Sequence, residues 1–159
     1  YFNNGNIKIN NINNKMIIFN KNELILDVET INGIPNGYGV QYYKNNINYR
    51  NIKYYEGEWK NGKFNGKGSH YWRDYKVYEG EWQDGMCNGN GIGFVNLSDY
   101  YEGEWKNGEY HGFGIYYINN NKLYEGEWEH GLKHGKGIIY NKDGDINYTG
   151  EFKKGYYNI

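Results

Sequence analysis

The chain contains no alanine, a single cysteine and no apolar run long enough to span a bilayer. Alanine is the best helix former, so its absence from 159 residues points away from helical folds. The lone cysteine, Cys87, excludes an internal disulfide and fits a reducing compartment. No signal peptide is visible, and Tyr1 is not the product of a start codon, so a fragment of a longer protein is expected. An excess of one charge is missing too, with 18 Lys/Arg against 19 Asp/Glu. Residues 1–54 carry six basic and three acidic side chains, and residues 55–159 carry twelve and sixteen. The mildly acidic second part argues against a nucleic-acid footprint and against strong attraction to anionic lipid.

What the chain has instead is aromatic rings, 20 Tyr, 6 Phe and 5 Trp, a composition that favours strands and is too apolar for disorder. Asparagine occurs 27 times, densely before residue 55, which reads as coding bias more than a prion-like tract. The 24 glycines have no three-residue period, so collagen is excluded.

The rings are periodic. Tyr-Glu-Gly-Glu-Trp occurs at Tyr55–Trp59, Tyr78–Trp82, Tyr101–Trp105 and Tyr124–Trp128, each 23 residues after the last. An altered copy, Tyr148–Phe152, follows after 24. A fixed period of this length means one small unit stacked on copies of itself. With the leading Tyr as position zero, Gly recurs at positions two, seven, eleven and thirteen, and an aromatic at sixteen (Tyr71, Phe94, Tyr117, Tyr140). The first five residues alternate as a strand with unlike faces does. Asn61-Gly62, Asp84-Gly85 and Asn107-Gly108 then supply a tight hairpin turn, where both central residues take positive φ. His130-Gly131 and Lys154-Gly155 keep the glycine.

A two-residue turn at positions six and seven pairs position zero with thirteen, two with eleven and four with nine. The leading Tyr then faces a glycine, Gly faces Gly, and Trp faces Phe64, Cys87, Tyr110 or Lys133. The apolar residues at fourteen and sixteen (Ile92 and Phe94, Ile115 and Tyr117, Ile138 and Tyr140) fall on the other face, unless a bulge at the second Gly reconciles them.

The pattern Tyr-x-Gly-x-Trp-x-x-Gly-x-x-x-Gly-x-Gly over residues 55–155 resembles the MORN (membrane occupation and recognition nexus) repeat. Upstream, Asn32-Gly33, Asn36-Gly37-Tyr38-Gly39 and Tyr42 fit the motif, while Leu26, Val28 and Thr30 stand in place of Tyr, Gly and Trp. The expected organisation is an Asn-rich segment over 1–25 (a half-repeat with Gly5, Ile7, Ile9 and Met16 to Phe19), a degenerate repeat over 26–54 with six extra residues inserted before Tyr55, four repeats over 55–147 and an incomplete fifth over 148–159. The resemblance implies an all-β fold, an elongated, twisted, single-layer antiparallel sheet of successive hairpins. It also implies use as a protein-binding scaffold near membranes or cytoskeleton, in the cytoplasm, with direct phosphoinositide binding attributed to such repeats as well.

Several candidate sites have bland readings that prevail. The pairs Glu56/Glu58, Glu79/Glu81, Glu102/Glu104 and Glu125/Glu127 put two carboxylates about 6–7 Å apart on one strand face. That spacing invites a glycosidase comparison. Four identical pairs without individual desolvated partners read instead as a solvated face. His70, His111, His130 and His134 occupy three motif positions with no third ligand at metal spacing, although His111 and His134 share position ten on adjacent hairpins. Cys87 stands where other units carry Phe64 and Tyr110, which reads as a buried side chain, not a nucleophile. The Gly-x-Gly pairs precede strands and lack a following Gly-Lys-Ser/Thr, so no phosphate loop is supported. Asn96-Leu97-Ser98 and Asn147-Tyr148-Thr149 read as chance sequons in so Asn-rich a chain.

The rings are the strongest candidates. They must form the core of a single layer, and such a layer is expected to leave part of their surface open as a groove. The sequence therefore reads as a non-catalytic interaction module without cofactor or metal. Tyr55, Trp59, Tyr78, Trp82, Tyr101, Trp105, Tyr124 and Trp128 would contact an extended or helical protein segment with basic and apolar residues. The alternatives are phospholipid contact through Lys60, Lys63, Lys67, Lys133, Lys136, Lys153 and Lys154, a targeting arm of a larger enzyme such as a lipid kinase, and a choline-binding repeat. Nucleic acid is not expected as a partner. An open sheet edge is expected to pair with a partner strand or a second copy, as in a homodimer.

Overall fold

A computed structural model describes residues 7–20, 23–43 and 52–157. Their architecture is all-β: one open antiparallel sheet in which fourteen strands follow in chain order. The strands are β1 (Ile7–Ile12), β2 (Lys15–Asn20), β3 (Glu23–Ile31), β4 (Ile34–Tyr42), β5 (Lys53–Lys60), β6 (Lys63–Trp72) and β7 (Tyr75–Gln83). They continue with β8 (Met86–Phe94), β9 (Tyr100–Lys106), β10 (Glu109–Ile118), β11 (Asn121–Glu129), β12 (Leu132–Tyr140), β13 (Ile146–Lys153) and β14 (Tyr156–Tyr157). By contacts the chain forms two compact units, Tyr1–Lys76 with Trp82–Gly85, and Val77–Glu81 with Met86–Ile159. Of the N-terminal half-repeat, Gly5 lies outside the described residues, while β1 and β2 pair as a hairpin around Asn13 and Asn14. The insertion expected before Tyr55 lies largely outside them as well.

The turns follow the sequence. Asn61, Asn107, His130 and Lys154 all take φ near +50°, each followed by a positive-φ glycine. Such a turn matches the twist of the strands it joins. Beyond the turn the register departs from simple counting. Trp59 pairs with Phe64 as expected, but Gly57 pairs with Gly68 and Tyr55 with His70. The same correction holds in the other unit, where Gly103 pairs with Gly114 and Tyr101 with Tyr116. Position zero therefore faces fifteen, and two faces thirteen. The cause is a bulge at the position-eleven glycine, Gly66 or Gly112, whose φ is positive. Because it shifts the pairing by an even number of residues, positions fourteen and sixteen stay on the face opposite the core, and fifteen joins the core.

The leading Tyr still covers bare glycine, by another route. Its ring runs along its own strand, and its hydroxyl donates to the carbonyl three residues on. Tyr55 to Glu58, Tyr78 to Glu81, Tyr101 to Glu104 and Tyr124 to Glu127 are each 2.9 Å. A β-carbon on Gly68, Gly91, Gly114 or Gly137 would enter that ring. In the degenerate repeat Val28, fully buried, fills the same space over Gly39.

Candidate functional site

The eight rings singled out from the sequence lie in the core row of the sheet. Tyr55, Tyr101 and Tyr124 are fully buried, Tyr78 is 3 % exposed, Trp59, Trp82 and Trp128 are 7–8 % exposed, and Trp105 is half-buried. Of the ring surface expected to stay open in part, the tyrosines are therefore closed, while Trp105 is not. In the second unit Tyr101 stacks on Tyr110 (centroids 4.0 Å, 13°) and meets Trp105 and Trp128 edge-on at 5.4 and 5.3 Å. In the first unit Tyr55 stacks on Phe64 at 3.7 Å between Trp59 and Trp82. Tyr124 lies between Trp128 and Phe152, with the Lys133 ammonium 4.9 Å from its ring centroid. Tyr55, Tyr101 and Tyr124 are thus each enclosed by their own Trp, the next repeat's Trp or Phe, and the position-nine side chain. Such edge-to-face contacts suit the ring quadrupoles.

Each tryptophan also ties its hairpin to the one before. The indole N–H of Trp82 donates to the Gly68 carbonyl at 3.1 Å, Trp105 to Gly91 at 3.0 Å, and Trp128 to Gly114 at 3.1 Å. The turn glycines add a second tie, Gly85 N–H to Phe64 and Gly108 N–H to Cys87, both 2.9 Å. Burial pushes the Tyr124 hydroxyl up to about 12, and pushes the Tyr78 and Tyr101 hydroxyls further in the same direction. The Cys87 thiol is pushed up to about 12 by burial, and the Lys133 ammonium is lowered by it. What the row leaves partly open on this face are Trp105 and the side chains at positions nine and fifteen: Tyr110, Tyr116 and Ile139.

The opposite face carries the glutamates, and the two of each pair do different work. The position-three carboxylate accepts a backbone N–H from across the bulge: Glu58 from Lys67 at 2.9 Å, Glu104 from Phe113 at 2.8 Å, Glu127 from Lys136 at 3.1 Å. Glu29 does the same for Tyr38 in the degenerate repeat. The position-one carboxylate binds a lysine three residues earlier, Lys53 for Glu56 and Lys122 for Glu125. Each lysine's hydrogen bond holds its carboxyl below the usual range. Counting identical pairs does not separate these two roles. The pairing of Glu at three with Gly at eleven, and the Lys-x-x-Glu spacing, are the signals that do.

The histidines come together differently from their motif positions. The His111 and His130 rings lie 6.2 Å apart, His130 Nδ1 is 3.0 Å from Glu109, and His134 Nδ1 is 3.5 Å from Glu129. Among the described residues no group of three or more His, Cys, Asp or Glu is placed to hold a metal ion. Of the lysines weighed for headgroup contact, Lys63 pairs with Asp84 at 3.5 Å and Lys133 is half-buried over Tyr124.

Successive hairpins, each closing its tyrosine with a ring of the next, define a β-hairpin repeat protein. A family model for the MORN repeat matches residues 31–47, 55–77, 78–92, 101–122 and 124–146, more than half of the chain. The chain belongs to the MORN repeat family. No curated protein matches it. Among the described residues no helix is long and apolar enough to cross a membrane.

Proposed function

We propose that this chain is a non-catalytic interaction module that binds an extended protein segment, helical or strand-like, across its ring face, at a membrane-associated or cytoskeletal assembly. The observation that carries this reading is the half-buried Trp105, Tyr110 and Tyr116, which lie together beside the closed core. Large rings with polar tips at such a place suit protein recognition. The eight core rings then support the surface, and the partner meets tryptophan edges and the residues at nine and fifteen. The structural duties of the glutamates favour a non-catalytic reading, since Glu58, Glu104 and Glu127 are committed to a backbone N–H and Glu56 and Glu125 to a lysine. The acidic balance of residues 55–159 favours a partner with basic residues.

Affinity purification with the intact protein and a Tyr110→Lys variant tests the reading. The variant should keep its β spectrum and lose the protein partners that the parent captures. Identical capture would contradict a ring-face site. Co-sedimentation of both proteins with phosphoinositide-containing vesicles, and not with protein partners, would favour the lipid alternative.

A further inference from the structure

Three of the four complete repeats place a lysine three residues before the first glutamate: Lys53 and Glu56, Lys76 and Glu79, Lys122 and Glu125. The third repeat places Asp99 before Glu102. In the fourth repeat the Lys122 ammonium is 2.6 Å from Glu125 Oε2 and 5.4 Å from the centroid of the Tyr140 ring. The Tyr140 hydroxyl donates to the same carboxylate oxygen at 3.0 Å. A cation is thus held between a carboxylate and the position-sixteen ring, on the face opposite the core. Lys53 reaches Glu56 in the same way, at 2.5 Å.

The third repeat builds a related frame around Glu102, with Tyr100 where the fourth repeat has Leu123. That residue lies across from Ile92 on one side and Ile115 on the other. Tyr100, two residues earlier on the same face, lies across from Phe94 and stacks on Tyr117 at 4.3 Å. Tyr117 lies two residues beyond Ile115 on the same face, diagonal to Glu102 as Tyr140 is to Glu125, and across from Lys122, whose ammonium Glu125 holds. Asp99 is occupied elsewhere. Its Oδ1 accepts the Asn119 N–H at 2.8 Å and its Oδ2 the Asn96 side-chain amide at 2.8 Å. Glu102 is exposed and has no cationic partner among the described residues.

We infer that Glu102, backed by Tyr117 and flanked by Ile92 and Ile115, is a recognition site for a lysine or arginine side chain of a partner protein. Neighbouring repeats fill the related frame with their own lysine, so the geometry accepts an ammonium on an aliphatic stem. An exposed ion pair alone stabilises little. The ring adds a cation–π contact, and the two isoleucines cover the methylene stem. The charge supplies specificity and encounter rate. This site lies on the opposite face from the ring surface proposed above and does not depend on it.

Fluorescence anisotropy with the full chain and a panel of labelled nonapeptides tests the site. Each peptide carries a central lysine or arginine between apolar residues, and a control carries acetyl-lysine there. At least one basic peptide should bind saturably, with a loss of about tenfold or more on acetylation and in Glu102→Gln. Asp99→Lys should lose binding likewise, because the chain then supplies its own cation. Asp99→Asn, which keeps one oxygen for the Asn119 N–H and adds no cation beside Glu102, should bind as the parent does. Binding by no peptide of the panel, or binding that survives acetylation or Glu102→Gln, would overturn the inference. If Asp99→Lys alters the β spectrum, the Glu102→Gln result decides, since that side chain is exposed.

Discussion

The carboxylate of Glu104 occupies the space beside Gly112 that a β-carbon would need. Gly112 has φ +56°, and the same carboxylate accepts the N–H of Phe113, the next residue, at 2.8 Å. Bulge, glycine and glutamate are one device, repeated as Glu58 with Gly66 and Glu127 with Gly135. Gly112→Ala is expected to cost about 1–2 kcal/mol through left-handed strain and the displaced carboxylate. Glu104→Ala should cost about 1 kcal/mol, because the Phe113 N–H loses its partner. The double variant should lose less than the sum, since both changes act on one contact. Denaturant titration of the three proteins checks this.

Two glycines six residues apart make a sharper contrast. A β-carbon on Gly114 would enter the Tyr101 ring, whereas nothing lies within 4 Å of one on Gly108. Gly114→Ala is expected to destabilise by about 3 kcal/mol or more, because a packed ring must leave its place. Gly108→Ala should cost only about 1 kcal/mol, from its positive φ, and Gly108→Val or Gly85→Val about 1–3 kcal/mol. Thermal unfolding of the variants gives the order.

The turns and the Trp rows were legible in the sequence because each rests on local chemistry. Asn61-Gly62 announces its own dihedrals, and four residues fix Trp59 against Phe64. Tyr55 against His70 was not legible, because Glu58 and Gly66 recur in the motif without showing that the chain bulges there, which depends on the reach of the Glu58 carboxylate to the Lys67 N–H. The closing of the rings was hidden for a related reason. A single layer was expected to leave part of its ring surface open, and it is Trp128 of the following repeat that covers Tyr101. The candidate rings were thus located correctly in the core row, while the half-buried positions beside them, Tyr110 and Tyr116, follow only from the observed register.

The Lys122–Glu125 pair sets a pH window. Lys122 lowers the Glu125 carboxyl below its ordinary value near 4.5, and Glu125 raises the ammonium above 10.5. A lowered acid contributes stability above its unfolded pKa and loses it as pH falls through the folded value. A raised base contributes below its unfolded pKa and loses it as pH rises through the folded one. Lys122→Met should therefore differ most from the parent between these two ordinary values, and the two unfolding curves should converge in acid. The difference should be small, since both side chains are partly exposed.

Cys87 should be inert in the folded protein. Burial pushes its thiol up to about 12, so little thiolate is present at neutral pH. Alkylation with iodoacetamide at pH 8 is expected to be slow in buffer and rapid in denaturant. Equal rates in the two conditions would show an open thiol.

The central claim is that each hairpin is completed by rings of its neighbours, so damage to one repeat stays near it. Amide hydrogen exchange on Gly114→Ala, read strand by strand, tests this most directly. The account predicts lost protection in β9–β11, whose rings Tyr101, Trp105 and Trp128 meet around that glycine, with β2–β4 exchanging as in the parent. A uniform loss of protection from β2 to β13 would contradict it.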